Sequence, residues 1–206
     1  MGLAGFVVHK TMRLLSFLAV IVVFAQAPSA IVFEVELWPG EGRPQFRAIA
    51  TEIVIRQTPT ATSPIVSHLQ VTRGQQIAFD ETRYRTIQAG TLQALTATSV
   101  TGRILETTRL LTRDAYYKGK FPQETIALNS GETFEYLQYR AEGTCFVRIG
   151  NRTIDATRCP AEDDRAFLVI SEPKTEWWIR VVVDRVPVGW VMVDKKNIEE
   201  SGRRFD

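Results

Sequence analysis

The stretch TEWWIRVVVDRVPVGWVMVD, residues 175 to 194, constrains this chain most. Two runs of strand length, rich in β-branched and aromatic residues, are separated only by the break from Asp184 to Pro187, and such composition favours paired strands. In a regular strand, period two puts Trp177, Ile179, Val181 and Val183 on one face and Glu176, Trp178, Arg180 and Val182 on the other. Adjacent tryptophans therefore cannot both enter one core. One is expected to be buried, the other exposed or set between two packed units.

Short strands account for most of what precedes this run. Ile49, Thr51, Ile53 and Ile55 alternate with Ala50, Glu52, Val54 and Arg56, and QTPTATSP (57 to 64) then reads as a loop. Further strands are predicted at 75–79, 86–89, 91–95 and 103–111, punctuated by Gly74, Gly90 and Gly102. After TRDAYYKGKFPQE (112 to 124), where charges, Gly119 and Pro122 interrupt the pattern, strands resume at 133–140, 144–149, 153–156, 167–170, 177–183 and 188–193. Gly150-Asn151 suits a two-residue hairpin turn placing Val147 opposite Ile154 and Cys145 opposite Ala156. A five-residue loop would instead set Cys145 across from Cys159, so the tight turn and a Cys145–Cys159 bridge compete.

The first thirty residues differ in kind. Lys10 and Arg13 precede the apolar run from Leu14 to Ala25, and small residues through Ala30 follow, the pattern of a secretory signal peptide. The apolar run is shorter than the roughly twenty residues of a spanning helix, so membrane attachment is expected only if the signal stays uncleaved. Cleavage after Ala27 fits best, with Ala30 second; Met12 is a second candidate start. Lys10 and Arg13 also supply the whole excess of 25 basic over 23 acidic groups, leaving the mature chain no electrostatic case for a nucleic-acid partner. Cys145 and Cys159 are the only cysteines, and an exported chain would bridge them. These features point to a periplasmic or secreted location.

The later strand pattern resembles the bacterial SH3-like (SH3b) domains. In that family a strand shows Trp, then a hydrophobic residue three positions later, a short loop, and Gly-Trp-Val opening the partner strand. Here these are Trp178, Val181, Asp184 to Pro187, and Gly189-Trp190-Val191; the ending VDKKNIEE is similar to the turn that closes such barrels. The earlier half is similar to the family's opening through Ile55-Arg56, Pro59, Pro64-Ile65-Val66, Leu69 and Gly74, with TGRIL (101 to 105) where Gly-Trp-Val would stand. The resemblance implies an all-β chain of two small SH3-like β-barrels in tandem after the signal peptide. Its parts are a signal at 1–30, an N-terminal extension at 31–46, a divergent first domain at 47–111, a linker at 112–124, a second domain at 125–200 and a polar tail at 201–206. The family's Trp-to-Val spacing crosses the period-two alternation and implies a bulge between Trp178 and Val181.

Catalytic and metal chemistry find little footing. The mature chain's single histidine, His68, has no ligand spacing around it, and a cysteine nucleophile would lack a base. Glu162-Asp163-Asp164 reads as a solvated loop, and Asn151-Arg152-Thr153 as a hairpin turn rather than a glycosylation site. No cofactor or metal is expected, nor an enzyme. The ligand-binding candidates are aromatic: Trp177, Trp178, Tyr136, Tyr139, Tyr116 and Tyr117, large amphipathic rings suited to sugar or peptide. The resemblance implies a non-catalytic binding protein for peptidoglycan or an extended peptide of the cell envelope. The alternative is a structural or assembly adaptor whose aromatic surface meets an envelope protein.

Overall fold

A computed structural model describes residues 31–105 and 110–205; the signal-peptide expectation lies outside them. Strands run in chain order as β1 (Phe33–Val35), β2 (Arg43–Ala48), β3 (Glu52–Arg56), β4 (Ile65–Gln70), β5 (Gln76–Ile77), β6 (Phe79–Gln88), β7 (Gly90–Ala94), β8 (Thr98–Leu105) and β9 (Leu110–Leu111). A short helix α1 (Arg113–Lys118) follows, then β10 (Gln123–Leu128), β11 (Thr133–Ala141), β12 (Thr144–Ile149), β13 (Arg152–Ala156), β14 (Phe167–Ser171), β15 (Lys174–Val183), β16 (Val186–Met192) and β17 (Ile198–Arg204). The chain is all-β, as its alternation implies.

The expected closed barrels are not what forms. Three open sheets are present, ordered β4-β3-β16-β15-β6-β1-β9, β10-β8-β13-β12-β11-β7-β14 and β17-β2-β5. The first and third draw on both ends of the chain: β15 pairs with β6, β16 with β3, and β17 with β2. The second takes its strands from the middle. The second sheet spans residues 112–124, since β8 before them pairs with β10 after them, and α1 lies within the stretch expected as a linker. Residues expected as an extension hold β1, the neighbour of β6, and β17 runs into the expected tail.

Three apolar clusters hold these layers. Phe46, Ile53, Ile55, Ile179, Val181, Val191 and Ile198 fill the first, between the first and third sheets. The second sheet encloses another around Leu92, Val147, Ile154 and the cysteines. Phe33, Val35, Leu111, Tyr116, Leu137 and Phe146 form the third, with members from both seven-stranded sheets.

The opening motif folds as a hairpin. Asp184 and Arg185, both with positive φ (49° and 66°), make the tight turn whose twist matches its strands. Gly189 is required by contact, because a Cβ there would lie 2.6 Å from the Arg56 carbonyl oxygen on β3. The expected bulge takes another form: register against β6 shifts between Arg180 and Val181, and against β16 between Val181 and Val182. The additional residues, Asp80 and Val188, lie on the neighbouring strands, so β15 keeps its alternation. Trp177, Ile179 and Val181 face one core, while Trp178 faces the other way among a lattice of ion pairs. There Arg83 meets Glu34, Glu36 and Glu81, Arg85 meets Glu34 and Glu176, and Arg180 meets Asp80 and Glu81.

Candidate functional site

Among the described residues, Asp155 is the one buried charged side chain of the second sheet. Arg103 on β8 and Asp155 on β13 are direct cross-strand partners, a pairing in which opposite charges attract at close range. The strands approach tightly there because Gly102, expected to be a turn residue, lies inside β8; a Cβ on it would stand 2.3 Å from the Asp155 carbonyl oxygen. Arg103 forks its Nε and Nη2 onto Asp155 Oδ2 at 3.1 and 2.5 Å. The Asp155 side chain is only 6% exposed, and a carboxylate so buried requires such donors.

Two further elements complete the cluster. Thr112 caps α1, its Oγ1 accepting from the Ala115 amide at 3.1 Å, the usual service of an N-cap threonine. That sets Tyr116 over the sheet, its hydroxyl donating to Asp155 Oδ2 at 3.1 Å. Arg140, near the irregular end of β11, brings its Nε within 3.7 Å of Asp155 Oδ1 and donates from it to Thr144 Oγ1 at 3.1 Å. The Tyr116 ring lies under both guanidiniums, 4.3 Å from Arg103 and 5.3 Å from Arg140, close enough for cation–π attraction to fix them.

These residues line a cleft of about 320 Å³, with Gln123, Thr144 and Thr157 on its walls. Asp155 is the only acid among the lining residues, so two guanidiniums face one carboxylate. The terminal nitrogens of Arg140 have no hydrogen-bond partner among the described residues. The cleft therefore carries one net positive charge on a preorganised planar donor. That is the chemistry that grips a carboxylate or another planar oxyanion.

Protonation follows from burial. Burial, helped by the charge of Asp155 and opposed by both arginines, pushes the Tyr116 hydroxyl up to about 12. For Arg103 burial pulls downward, but the hydrogen bonds and charge of Asp155 outweigh it and hold the guanidinium above its ordinary value. At neutral pH the tyrosine is thus a neutral donor. Because its folded pKa is raised, its contribution to stability is complete below the unfolded value of about 10 and is lost as pH rises through about 12. Tyr116→Phe should melt below wild type at pH 8, and the gap should close across that window. A gap that stays constant to pH 12 contradicts the assignment.

The six aromatic candidates do not share one surface. Tyr116 and Tyr117 meet edge to face at 5.1 Å beside the cleft, Tyr116 buried and Tyr117 68% exposed. Tyr136 is buried in the second sheet's cluster, and that burial raises its hydroxyl pKa. Tyr139 is half-exposed on the same strand, its hydroxyl accepting from the Gly143 amide at 3.2 Å. Trp177 packs on Phe46 at 5.0 Å. Trp178 is fully buried. Neither tryptophan presents a freely exposed ring, because β15 is covered on both faces.

Arg103, Asp155 and Arg140 were not legible as a site. In sequence they occupy ordinary alternating strand positions, and the one available signal was an aspartate between apolar residues in RTIDA. His68 lies exposed on β4 with Nδ1 3.0 Å from Glu52. In the acidic run, Asp163 closes a turn by accepting from the Arg165 and Ala166 amides.

The cysteines form the expected disulfide, with Cα atoms 5.0 Å apart. The tight turn forms too, with Val147 opposite Ile154 and Cys145 opposite Ala156. The two devices coexist because the chain leaves β13 after Ala156 and curls back, the Cys159 amide donating to the Gly143 carbonyl at 2.5 Å. A disulfide fits an oxidising, non-cytoplasmic location, and among the described residues no helix is long and apolar enough to cross a membrane. Comparison with known protein families, with characterised proteins and with solved structures finds no match to this chain.

Proposed function

We propose that this chain is a non-catalytic binding protein of the periplasm or the exterior, and that its cleft holds a carboxylate of the cell-envelope matrix: a peptidoglycan stem peptide or the end of an extended peptide. The observation that carries this reading is the uncompensated guanidinium charge at Arg103 and Arg140, fixed over Tyr116. Tyr117, exposed beside it, supplies a ring for the apolar part of such a ligand. The envelope as the source comes from the resemblance of residues 178 to 191 to SH3-like domains.

A binding role suits the protonation states better than a catalytic one. Asp155 already accepts three hydrogen bonds at Oδ2, and the Tyr116 hydroxyl is held at about 12, far from the near-neutral value a general base needs. Tyr116 is thus not a general base at neutral pH. A charge-assisted hydrogen bond contributes about 1.5–3 kcal/mol, so Arg140→Gln should weaken binding roughly 10- to 100-fold. Wild-type protein should co-sediment with purified peptidoglycan while Arg140→Gln stays in the supernatant. Equal behaviour of the two proteins, whether both sediment or neither does, opposes the proposal.

A further inference from the structure

We infer that the cavity between the third sheet and the start of β6 is a second ligand site, one that takes an organic phosphate monoester. The cavity arises where two sheets part. β5 pairs with β2 only at Phe46↔Ile77 and Arg47↔Gln76, after which the chain crosses to the first sheet, the Ala78 carbonyl accepting from the Val182 amide at 2.9 Å and Phe79 pairing with Val181. On that side β2 runs on without a neighbour through Gln45, Pro44 and Arg43. The gap beside it measures about 620 Å³, against about 320 Å³ for the cleft at Asp155, and a space of that order suits a small molecule.

Its charge is of one sign. Arg43 and Arg204 line it, and no acid does. The two are direct cross-strand partners on β2 and β17, so their side chains leave the same face of the sheet, where like charges repel. Further along that face the pairing is complementary instead, because Arg47 lies opposite Glu199 and meets it at 2.7 Å. Neither Arg43 nor Arg204 has an ion-pair partner among the described residues. The acids of the small cleft that shares Arg43 and Phe79, namely Glu36, Asp80 and Glu81, are held by Arg83 and Arg180.

One arginine is already positioned. Arg43 Nη2 donates to the Phe79 carbonyl at 3.0 Å, and the guanidinium lies 4.9 Å from the Phe79 ring, which fixes it across the gap. Two guanidiniums with no carboxylate between them match the charge of about −1.5 to −2 on a phosphate monoester at pH 7, whereas a carboxylate would leave one of them unanswered. Their planar forks suit phosphate oxygens. The space exceeds what a bare phosphate fills, so the phosphoryl group carries an organic body that lies toward Ile77 and Phe79.

Calorimetric titration of the purified protein with phenyl phosphate should show a Kd of about 1 mM or tighter, and benzoate should bind at least about tenfold more weakly for want of one charge-assisted contact. Arg43→Gln and Arg204→Gln should each weaken phenyl phosphate about tenfold or more, while Arg47→Gln, at the paired end of the same strand, should leave it unchanged. Without ligand, Arg204→Gln should melt at or above wild type because the repulsion is gone. Phenyl phosphate should then raise the wild-type midpoint more than the variant's. Vesicles of phosphatidic acid that displace phenyl phosphate support a lipid headgroup as the source of the phosphoryl group, and vesicles without effect support a soluble phosphate. No binding of phenyl phosphate at about 10 mM, equal binding of benzoate, or binding indifferent to Arg43 and Arg204 overturns the proposal.

Discussion

Trp178→Ala should destabilise the protein by about 3–5 kcal/mol, the range for emptying a fully buried large aromatic site. Trp178 is 1% exposed and lies between Arg83 and Met192 on the neighbouring strands. Its Nε1 donates to Glu176 Oε2 at 2.9 Å, and Glu176 faces Arg85, which is also buried. Removing the indole therefore opens a cavity and takes a donor from a carboxylate within the ion-pair lattice. Trp177→Ala should cost less: that ring is partly exposed, and its indole nitrogen is buried without a partner among the described residues. Urea unfolding of both variants checks the order. A Trp178→Ala cost below about 1 kcal/mol, the scale of a surface change, contradicts the packing described.

Replacing both cysteines by serine should cost about 3 kcal/mol on the chain-entropy estimate for a loop of this size, the bridge joining residues 14 apart in sequence. Both sulfurs lie in the second sheet's core, so the serine hydroxyls would add a burial penalty. The effect should reach the cleft. Thr144 precedes Cys145, Thr157 lies two residues before Cys159, and both threonines line the cavity. Thermal melting of the oxidised protein and the double serine variant, together with peptidoglycan co-sedimentation, should show lower stability and weaker binding. An unchanged melting temperature contradicts a structural role for the bridge.

Local pattern carried far in this chain. The strand predicted at 144–149 matches β12, and those at 133–140, 153–156, 167–170 and 177–183 lie within the observed strands, because period-two alternation and glycine turns act over a few residues. Ile53 and Ile55 are buried together as their alternation implies. Ile49 and Thr51, read as the same strand, instead lie in the connection from β2 to β3. Gly90 and Gly102 look like turns in the sequence, but each lies within a strand where another backbone comes too close for a side chain. Glycine in sequence does not distinguish those two uses.

Strand partners were far less legible. Nothing local in residues 43–88 tells them to pair with 174–204, since that choice depends on which apolar faces can be buried together. The tryptophans were ambiguous for a related reason: counting assumes one covered face, whereas β15 is covered on both, by aliphatic packing around Ile179 and by ion pairs around Trp178. The cleft was hidden because its charges come from three strands and its tyrosine from a six-residue helix. Of the six aromatic candidates only Tyr116 lines it.

The most direct test of the cleft is a calorimetric titration with a soluble peptidoglycan stem peptide, compared with the same peptide amidated at its terminal carboxylate. The expected result is binding of the free acid by wild-type protein, weaker by about tenfold or more for the amide and for Arg140→Gln alike, as loss of one charge-assisted contact requires. Equal affinity for acid and amide, or no binding of either, would contradict a carboxylate site at Arg103 and Arg140.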